Sequence, residues 1–239
     1  MVIELSQHRV SSSSESGVPG TEKTLRASRT MIQLPRLYPI VDAAFFPTLQ
    51  ALAAFAEELV AGGCMLLQYR NKSGNARVML EQARELRRRC RTRVSDLDVR
   101  LIMNDRADLC LAAELDGVHV GQEDLSAESV RGMIGAGRWV GVSTHHAEQM
   151  VEADRGSADY VAIGPVFSTS SKDQPDPVVG LEGVRRARSL TSKPLVAIGG
   201  ITRENAASVV AAGADSVAVI SDLLHDPRKS AEEFFRILR

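Results

Sequence analysis

The sequence predicts a single (β/α)8 TIM barrel, and three observations carry that prediction. From Leu37 onward, short apolar runs rich in β-branched residues alternate eight times with helical patterns. Small-residue turns precede several of the apolar runs. Polar clusters sit at the carboxyl ends of the runs, which is where a barrel of this kind carries its chemistry.

The elements follow in order. Strands are predicted at residues 37–41, 65–69, 99–103, 117–120, 139–143, 160–166, 194–198 and 216–220. Helical spacing occupies 49–60, 76–91, 109–113, 127–134, 148–153, 181–190, 205–212 and 231–238. Ala61-Gly62-Gly63, Asp116-Gly117 and Ala212-Gly213-Ala214-Asp215 suit helix ends closed by a glycine before the chain enters the next strand. A doubly wound open sheet has similar spacing, and eight regular units favour the barrel. Residues 1–33 stand apart. The run Ser11 to Ser14, with Gly17, Pro19 and Gly20, offers little to pack and predicts a polar, disordered extension before a catalytic domain at 34–239. It lacks the apolar core of a secretory signal, and Glu4, Glu15 and Glu22 argue against an organelle transit peptide.

Composition narrows the partners. With 239 residues, 44% of them hydrophobic, the chain can build a sizeable core. A net charge of -1 leaves no basic footprint for nucleic acid or an anionic membrane. The basic stretch from Arg84 to Arg93 reads as a solvated helix face, with an RNA surface a remote option. No apolar stretch reaches the roughly 18 residues of a membrane span. Three cysteines, Cys64, Cys90 and Cys110, are odd in number and lack metal-type spacing, so reduced, buried thiols in a cytoplasmic protein are expected.

The strand ends supply the functional candidates. After the second strand comes Gln68-Tyr69-Arg70-Asn71-Lys72, in which alternation points Gln68, Arg70 and Lys72 the same way. An amide and two cations beside Met65 and Leu67 call for an anionic ligand. Asn104-Asp105 and Gly121-Gln122-Glu123-Asp124 follow the third and fourth strands, and their aspartates offer what a divalent cation needs. Ser143 leads into His145 and His146, which receive no role. The sixth strand opens into Ser168-Thr169-Ser170-Ser171-Lys172-Asp173. Gly199-Gly200 and Ser221 close the seventh and eighth, where such barrels build a phosphate cup from backbone N–H groups. Two anion sites result: a cup for a monophosphate, and an Arg70, Lys72, Asp105, Asp124 constellation for a pyrophosphate with its metal. Two phosphorylated small substrates and a departing pyrophosphate follow. Blander roles compete. Asp105 and Asp124 could cap the helices near Arg106 and Ser126, and Gly199-Gly200 could be only a tight turn. Thr202 is expected to cap the next helix, and His119 to be a satisfied core residue.

Taken in series, Gln68-Tyr69-Arg70-Asn71-Lys72, Asn104-Asp105, His119-Val120-Gly121-Gln122-Glu123-Asp124, Gly141-Val142-Ser143, Gly164-Pro165-Val166-Phe167 with Thr169 and Lys172, Ala197-Ile198-Gly199-Gly200 and Val219-Ile220-Ser221 resemble the motifs of the thiamine phosphate synthase family. The resemblance runs from about residue 37 to 223. It implies an enzyme that couples a pyrimidine methyl diphosphate to a thiazole ethyl phosphate, releasing pyrophosphate. It further implies that Asp105 and Asp124 hold Mg²⁺. Gln68, Arg70, Lys72, Asn104, Ser143 and Lys172 would receive the pyrimidine diphosphate. Thr169 and Ser171, with the backbone of Gly200, Ile220 and Ser221, would hold the thiazole phosphate. Asn71 stands where the family often has glutamate and is expected to face away. Ser171 replaces a frequent threonine and keeps the hydroxyl.

The chemistry suits these groups. Pyrophosphate can leave an electron-rich aminopyrimidine methylene as a stabilised cation, which the thiazole nitrogen attacks. The protein then needs charge neutralisation and alignment, which assigns Arg70, Lys72 and Lys172 to the leaving group. Two other readings compete: a thiazole tautomerase-like isomerase of the same family, and a non-catalytic phosphate-ligand binder. The tautomerase relatives tend to carry histidine where this chain has Pro165, and a mere binder has no need of a leaving-group clamp.

Overall fold

The structure, a computed structural model, describes residues 32–92, 98–169 and 176–239. The expected extension therefore lies outside the described residues except for Ile32 and Gln33. Eight parallel strands close in sequence order into a barrel. They are β1 (Leu37–Asp42), β2 (Leu66–Arg70), β3 (Arg100–Asn104), β4 (Gly117–Val120), β5 (Trp139–Thr144), β6 (Tyr160–Ile163), β7 (Leu195–Ile198) and β8 (Ser216–Val219). Closure rests on β1 against β8, with Leu37 opposite Val217, Tyr38 opposite Ala218 and Pro39 opposite Val219. That pairing excludes the open sheet.

Each strand is followed by a helix: α1 (Leu49–Ala61), α2 (Ala76–Thr92), α3 (Ala107–Ala112), α4 (Ala127–Ile134), α5 (Ala147–Arg155), α6 (Gly180–Leu190), α7 (Ala206–Ala211) and α8 (Pro227–Ile237). Most bounds move by one or two residues, and two elements differ by more. β6 stops at Ile163 because Gly164-Pro165 follows and proline has no N–H to continue the ladder. α8 begins earlier than its apolar spacing suggests, at Pro227, whose fixed φ and missing N–H suit a first helical turn.

Alternation divides the strands between two cores. Outward residues such as Leu37, Val41, Leu67, Met103, Val118 and Val161 join the helices in one cluster. Inward residues, Tyr38, Ile40, Leu66, Ile102, Tyr160, Ala162, Val196 and Ala218, fill the barrel. Burial on both faces is why the strands read as near-continuous apolar runs.

The amino-terminal rim carries a repeated clamp. Asp116, Asp159 and Asp215 each stand just before an even-numbered strand. Their Oδ2 atoms accept the N–H of Leu101, Val140 and Leu195 on the preceding strand, each at 2.8 Å. An arginine from the helix that leads into that preceding strand, α2, α4 or α6, grips each carboxylate: Arg91 at 2.6 Å, Arg131 at 2.5 Å and Arg188 at 2.9 Å. The basic stretch of α2 is committed in the same way. Arg84 donates to Ala112 O, Arg87 pairs with Glu114, and Arg88 and Arg89 share Glu85.

Candidate active site

Opposite that rim, the carboxyl ends of the strands gather the predicted groups. Gln68 and Arg70 lie on the inner face of β2, and Lys72 follows just past its end. Lys72 Nζ reaches Asp105 Oδ2 at 2.5 Å, joining the loops after β2 and β3. Asn71 turns the other way, its amide donating to Tyr69 Oη and Gln82 Oε1 on the helix side. The expected outward orientation of Asn71 is what the fold contains.

Neither aspartate is a helix cap. α3 begins after Arg106 with no side-chain cap, and α4 is capped by Ser126, whose hydroxyl accepts from Ser129 N. Asp124 Oδ2 instead accepts from Gly121 N at 2.8 Å, which folds the loop after β4 back on itself. Asp105 has φ 63, a left-handed conformation for a side-chain-bearing residue. Such backbone costs about 1–3 kcal/mol and persists where the surroundings hold it. Here Asp105 N donates to His119 O at 2.8 Å, fixing the residue beside β4.

Electrostatics bind the two aspartates together. Burial pushes the Asp105 carboxyl above its ordinary pKa, the Lys72 ammonium pulls it back, and Asp124 pushes it up again. Asp124 thus stands close enough to disfavour the charge on Asp105, and a divalent cation bound by both would relieve that repulsion. Among the described residues no group of three or more His, Cys, Asp or Glu side chains gathers as metal ligands. Two carboxylates alone fit Mg²⁺, which takes one or two and completes its shell with water and substrate phosphate oxygens.

Around this pair stand neutral and cationic donors. Asn104 Nδ2 is buried with no hydrogen-bond partner among the described residues, an orphan donor at the end of β3. A buried donor left unpaired is costly, and a ligand acceptor removes the cost. Ser143 is half-buried at the end of β5, its Oγ 2.8 Å from His119 Nε2. His119 is the satisfied core residue expected, since Nδ1 also lies 3.1 Å from Tyr160 Oη.

The described residues expected to form the second anion site lie at the ends of β6, β7 and β8. Gly200 has φ 63, and a Cβ there would come within 2.5 Å of Ser168 O. Glycine is therefore what lets the loop carrying Ser168 and Thr169 lie against the end of β7. Ile220 and Ser221 leave the neighbouring β8, where a short 3₁₀ turn begins at Ser221. Thr202 does not cap α7, contrary to the sequence expectation. Asn205 occupies the N-cap position without a side-chain cap bond, and its Oδ1 accepts from Thr202 N at 2.9 Å. Ser171 and Lys172 lie outside the described residues.

Asp42 escaped the sequence reading. It is the last residue of β1, 3% exposed, in register with Arg70 and paired with its guanidinium through Oδ2. Its Oδ1 accepts from Ala44 N at 3.1 Å. The signal was available: Asp42 continues the inward alternation of Tyr38 and Ile40.

Comparison with known proteins gives a consistent result. A family model described as thiamine monophosphate synthase matches residues 37–223. A thiamine-phosphate synthase of Koribacter versatilis is 60% identical over 210 residues, covering 87% of this chain and 97% of that protein. Another from Chloroflexus aurantiacus is 42% identical over 186 residues, covering 78% and 83%. A solved structure of thiamine phosphate pyrophosphorylase from Pyrococcus furiosus aligns with a TM-score of 0.74 at 35% identity, covering 85% of this chain and 95% of that one.

Proposed function

The chain belongs to the thiamine monophosphate synthase family, and from that premise we propose how its barrel mouth works. It is a transferase of thiamine biosynthesis, joining an aminopyrimidine methyl diphosphate to a thiazole ethyl phosphate. The bond between the pyrimidine methylene and the diphosphate oxygen breaks, and pyrophosphate leaves with the bonding pair. The thiazole nitrogen then donates its lone pair to the methylene carbon, giving thiamine phosphate.

Arg70, Lys72, Asn104 and Lys172 take the diphosphate, and Gln68 and Ser143 the pyrimidine end. Three features support this set. Arg70 is held in place by Asp42 before any ligand arrives, Lys72 bridges to Asp105, and Asn104 offers an unpaired buried donor. Donors already aimed at developing charge lower a barrier without reorganising during the reaction. Asp105 and Asp124 are the residues that would hold Mg²⁺, whose divalent charge offsets that of the departing pyrophosphate. Thr169 and Ser171, with the backbone of Gly200, Ile220 and Ser221, keep the thiazole phosphate on the far side of the mouth, so the nucleophile meets the methylene in line.

Among the described residues no helix is long and apolar enough to cross a membrane. The three buried free thiols, with burial raising the pKa of each, support a reducing, cytoplasmic setting.

The observation that carries the site is the Lys72–Asp105–Asp124 junction, which brings three strand ends to one electrostatic centre. The test mixes protein with both substrates in Mg²⁺ or in EDTA and follows thiamine phosphate and pyrophosphate together. Equimolar products are expected in the magnesium sample only. Asp105→Ala should lower kcat by about 100-fold or more while the thermal midpoint stays near wild type. Full activity in EDTA, or in the variant, overturns the site assignment.

A further inference from the structure

A chain of five buried or half-buried polar side chains crosses the barrel interior below the reacting groups. Gln68 Nε2 donates to Tyr38 Oη at 3.1 Å. Tyr38 Oη lies 3.0 Å from Tyr160 Oη, which lies 3.1 Å from His119 Nδ1. His119 Nε2 closes the chain on Ser143 Oγ at 2.8 Å. It links β2, β1, β6, β4 and β5, and its two ends are the groups assigned to the pyrimidine. The fold makes room for it at Gly141, where a Cβ would sit 2.1 Å from Tyr160 Cζ and 2.5 Å from His119 Nδ1.

The donors along this chain can be followed from one end to the other. Tyr38 Oη accepts from Gln68, so its own hydrogen goes to Tyr160 Oη. Tyr160 in turn donates to His119 Nδ1. The imidazole is buried and both of its nitrogens face neutral hydroxyls, so it is neutral and carries one hydrogen only. With Nδ1 accepting, that hydrogen is on Nε2 and is donated to Ser143 Oγ. The Ser143 hydroxyl hydrogen is left to point elsewhere, and Gln68 Oε1 has no partner among the described residues. Reversing one link requires reversing them all, because an interior hydroxyl or ring nitrogen facing a like partner loses its bond.

We propose that Tyr38, Tyr160 and His119 form a positioning relay that fixes Gln68 as an acceptor and Ser143 as a donor toward the ligand, and so selects a pyrimidine bearing an exocyclic amino group. This rests on the functional reading above. The amino group supplies a donor for Gln68 Oε1, and a ring nitrogen supplies an acceptor for the serine hydroxyl. An oxo group in place of the amino group reverses both demands, and a rigid relay cannot turn to meet it. A site committed to a hydrogen-bond polarity rejects the mismatched analogue because its buried groups are left unpaired.

Two measurements on the full chain test the relay. The first is the ¹⁵N spectrum of His119 in ligand-free protein, with His119→Gln for assignment. A pyrrole-like Nε2 and a pyridine-like Nδ1 are expected, and hydrogen on Nδ1 overturns the relay whether or not the enzyme turns over. The second compares kcat/KM for the 4-amino diphosphate and its 4-oxo analogue in wild type, Tyr160→Phe and Tyr38→Phe. Either variant cuts one link while keeping the ring. Each should retain the fold and lose about tenfold or more of the wild-type discrimination. Wild-type discrimination in a folded variant overturns the proposal. Absence of thiamine phosphate from wild-type enzyme overturns the functional reading instead, while the tautomer still reports on the relay.

Discussion

Arg70 depends on the carboxylate behind it. Its side chain is 21% exposed at a strand end, and without Asp42 it would sample water as a long flexible side chain does. Asp42→Asn keeps an oxygen for Ala44 N and removes the charge that orients Arg70. We expect kcat/KM for the pyrimidine diphosphate to fall about 10- to 100-fold, with inhibition by pyrophosphate weakening in parallel. Steady-state kinetics with pyrophosphate as inhibitor will report both, and an unchanged inhibition constant would mean that Arg70 finds its place unaided. This pair also marks where the sequence was legible and where it was not. Arg70, Lys72, Asp105 and Asp124 were visible because charged residues broke apolar runs at strand ends. Asp42 looked like an ordinary strand terminus, since its meaning depends on register with β2. The partners of His119 were hidden for the same reason. Tyr38 and Tyr160 lie far apart in the chain and meet only because the barrel closes.

At the scale of elements, the positions of strands and helices were readable from apolar spacing, and their ends were not. β6 was read through Val166 because its apolar run continues past Pro165, and Val166 N does still bond Ile198 O at 2.9 Å. The aspartates before β4 and β8 were read as parts of turns, and the one before β6 was not singled out. Their accepting role appears only once each meets the preceding strand and an arginine from the helix before that strand. Asp159 shows the consequence. Its side chain is 7% exposed and that of Arg131 16%, so the pair is largely removed from water. Removing one member leaves the other charge poorly compensated, and the Val140 N–H loses its acceptor. Asp159→Ala should therefore cost about 3–5 kcal/mol in urea unfolding. Asp154→Ala, at a carboxylate that binds Thr191 Oγ1 and Ser192 N at a more exposed position, should cost about 1–2 kcal/mol. Equal losses would mean that the clamp adds nothing beyond its individual hydrogen bonds.

Across the whole molecule the two ends of the barrel divide stability from chemistry. The carboxyl-terminal mouth collects an amide unpaired among the described residues, a left-handed aspartate and two repelling carboxylates, each a local cost that the proposed ligand or metal would offset. The amino-terminal end has the aspartate clamps, Arg100 stacked 4.6 Å over the Trp139 ring, and Ile32 and Leu34 packed against the interior cluster of Tyr38, Ile40 and Leu66. Those two residues precede β1, so their side chains cover the interior from the end opposite the substrates. They also fall at the border drawn from composition, where polar residues gave no hint that Ile32 belongs with the barrel. Replacing both by serine exposes part of the interior cluster and should lower stability by about 2–3 kcal/mol. For a domain of this size that corresponds to a fall of about 4–12 °C in the thermal midpoint. Activity at temperatures well below the transition should not change, because the reacting groups sit at the other rim. Calorimetry beside kcat at low temperature checks both halves. A drop in kcat without a drop in midpoint would show that the interior transmits the state of one end to the other, which the packed interior side chains, Ile40, Leu66 and Ile102 among them, otherwise prevent.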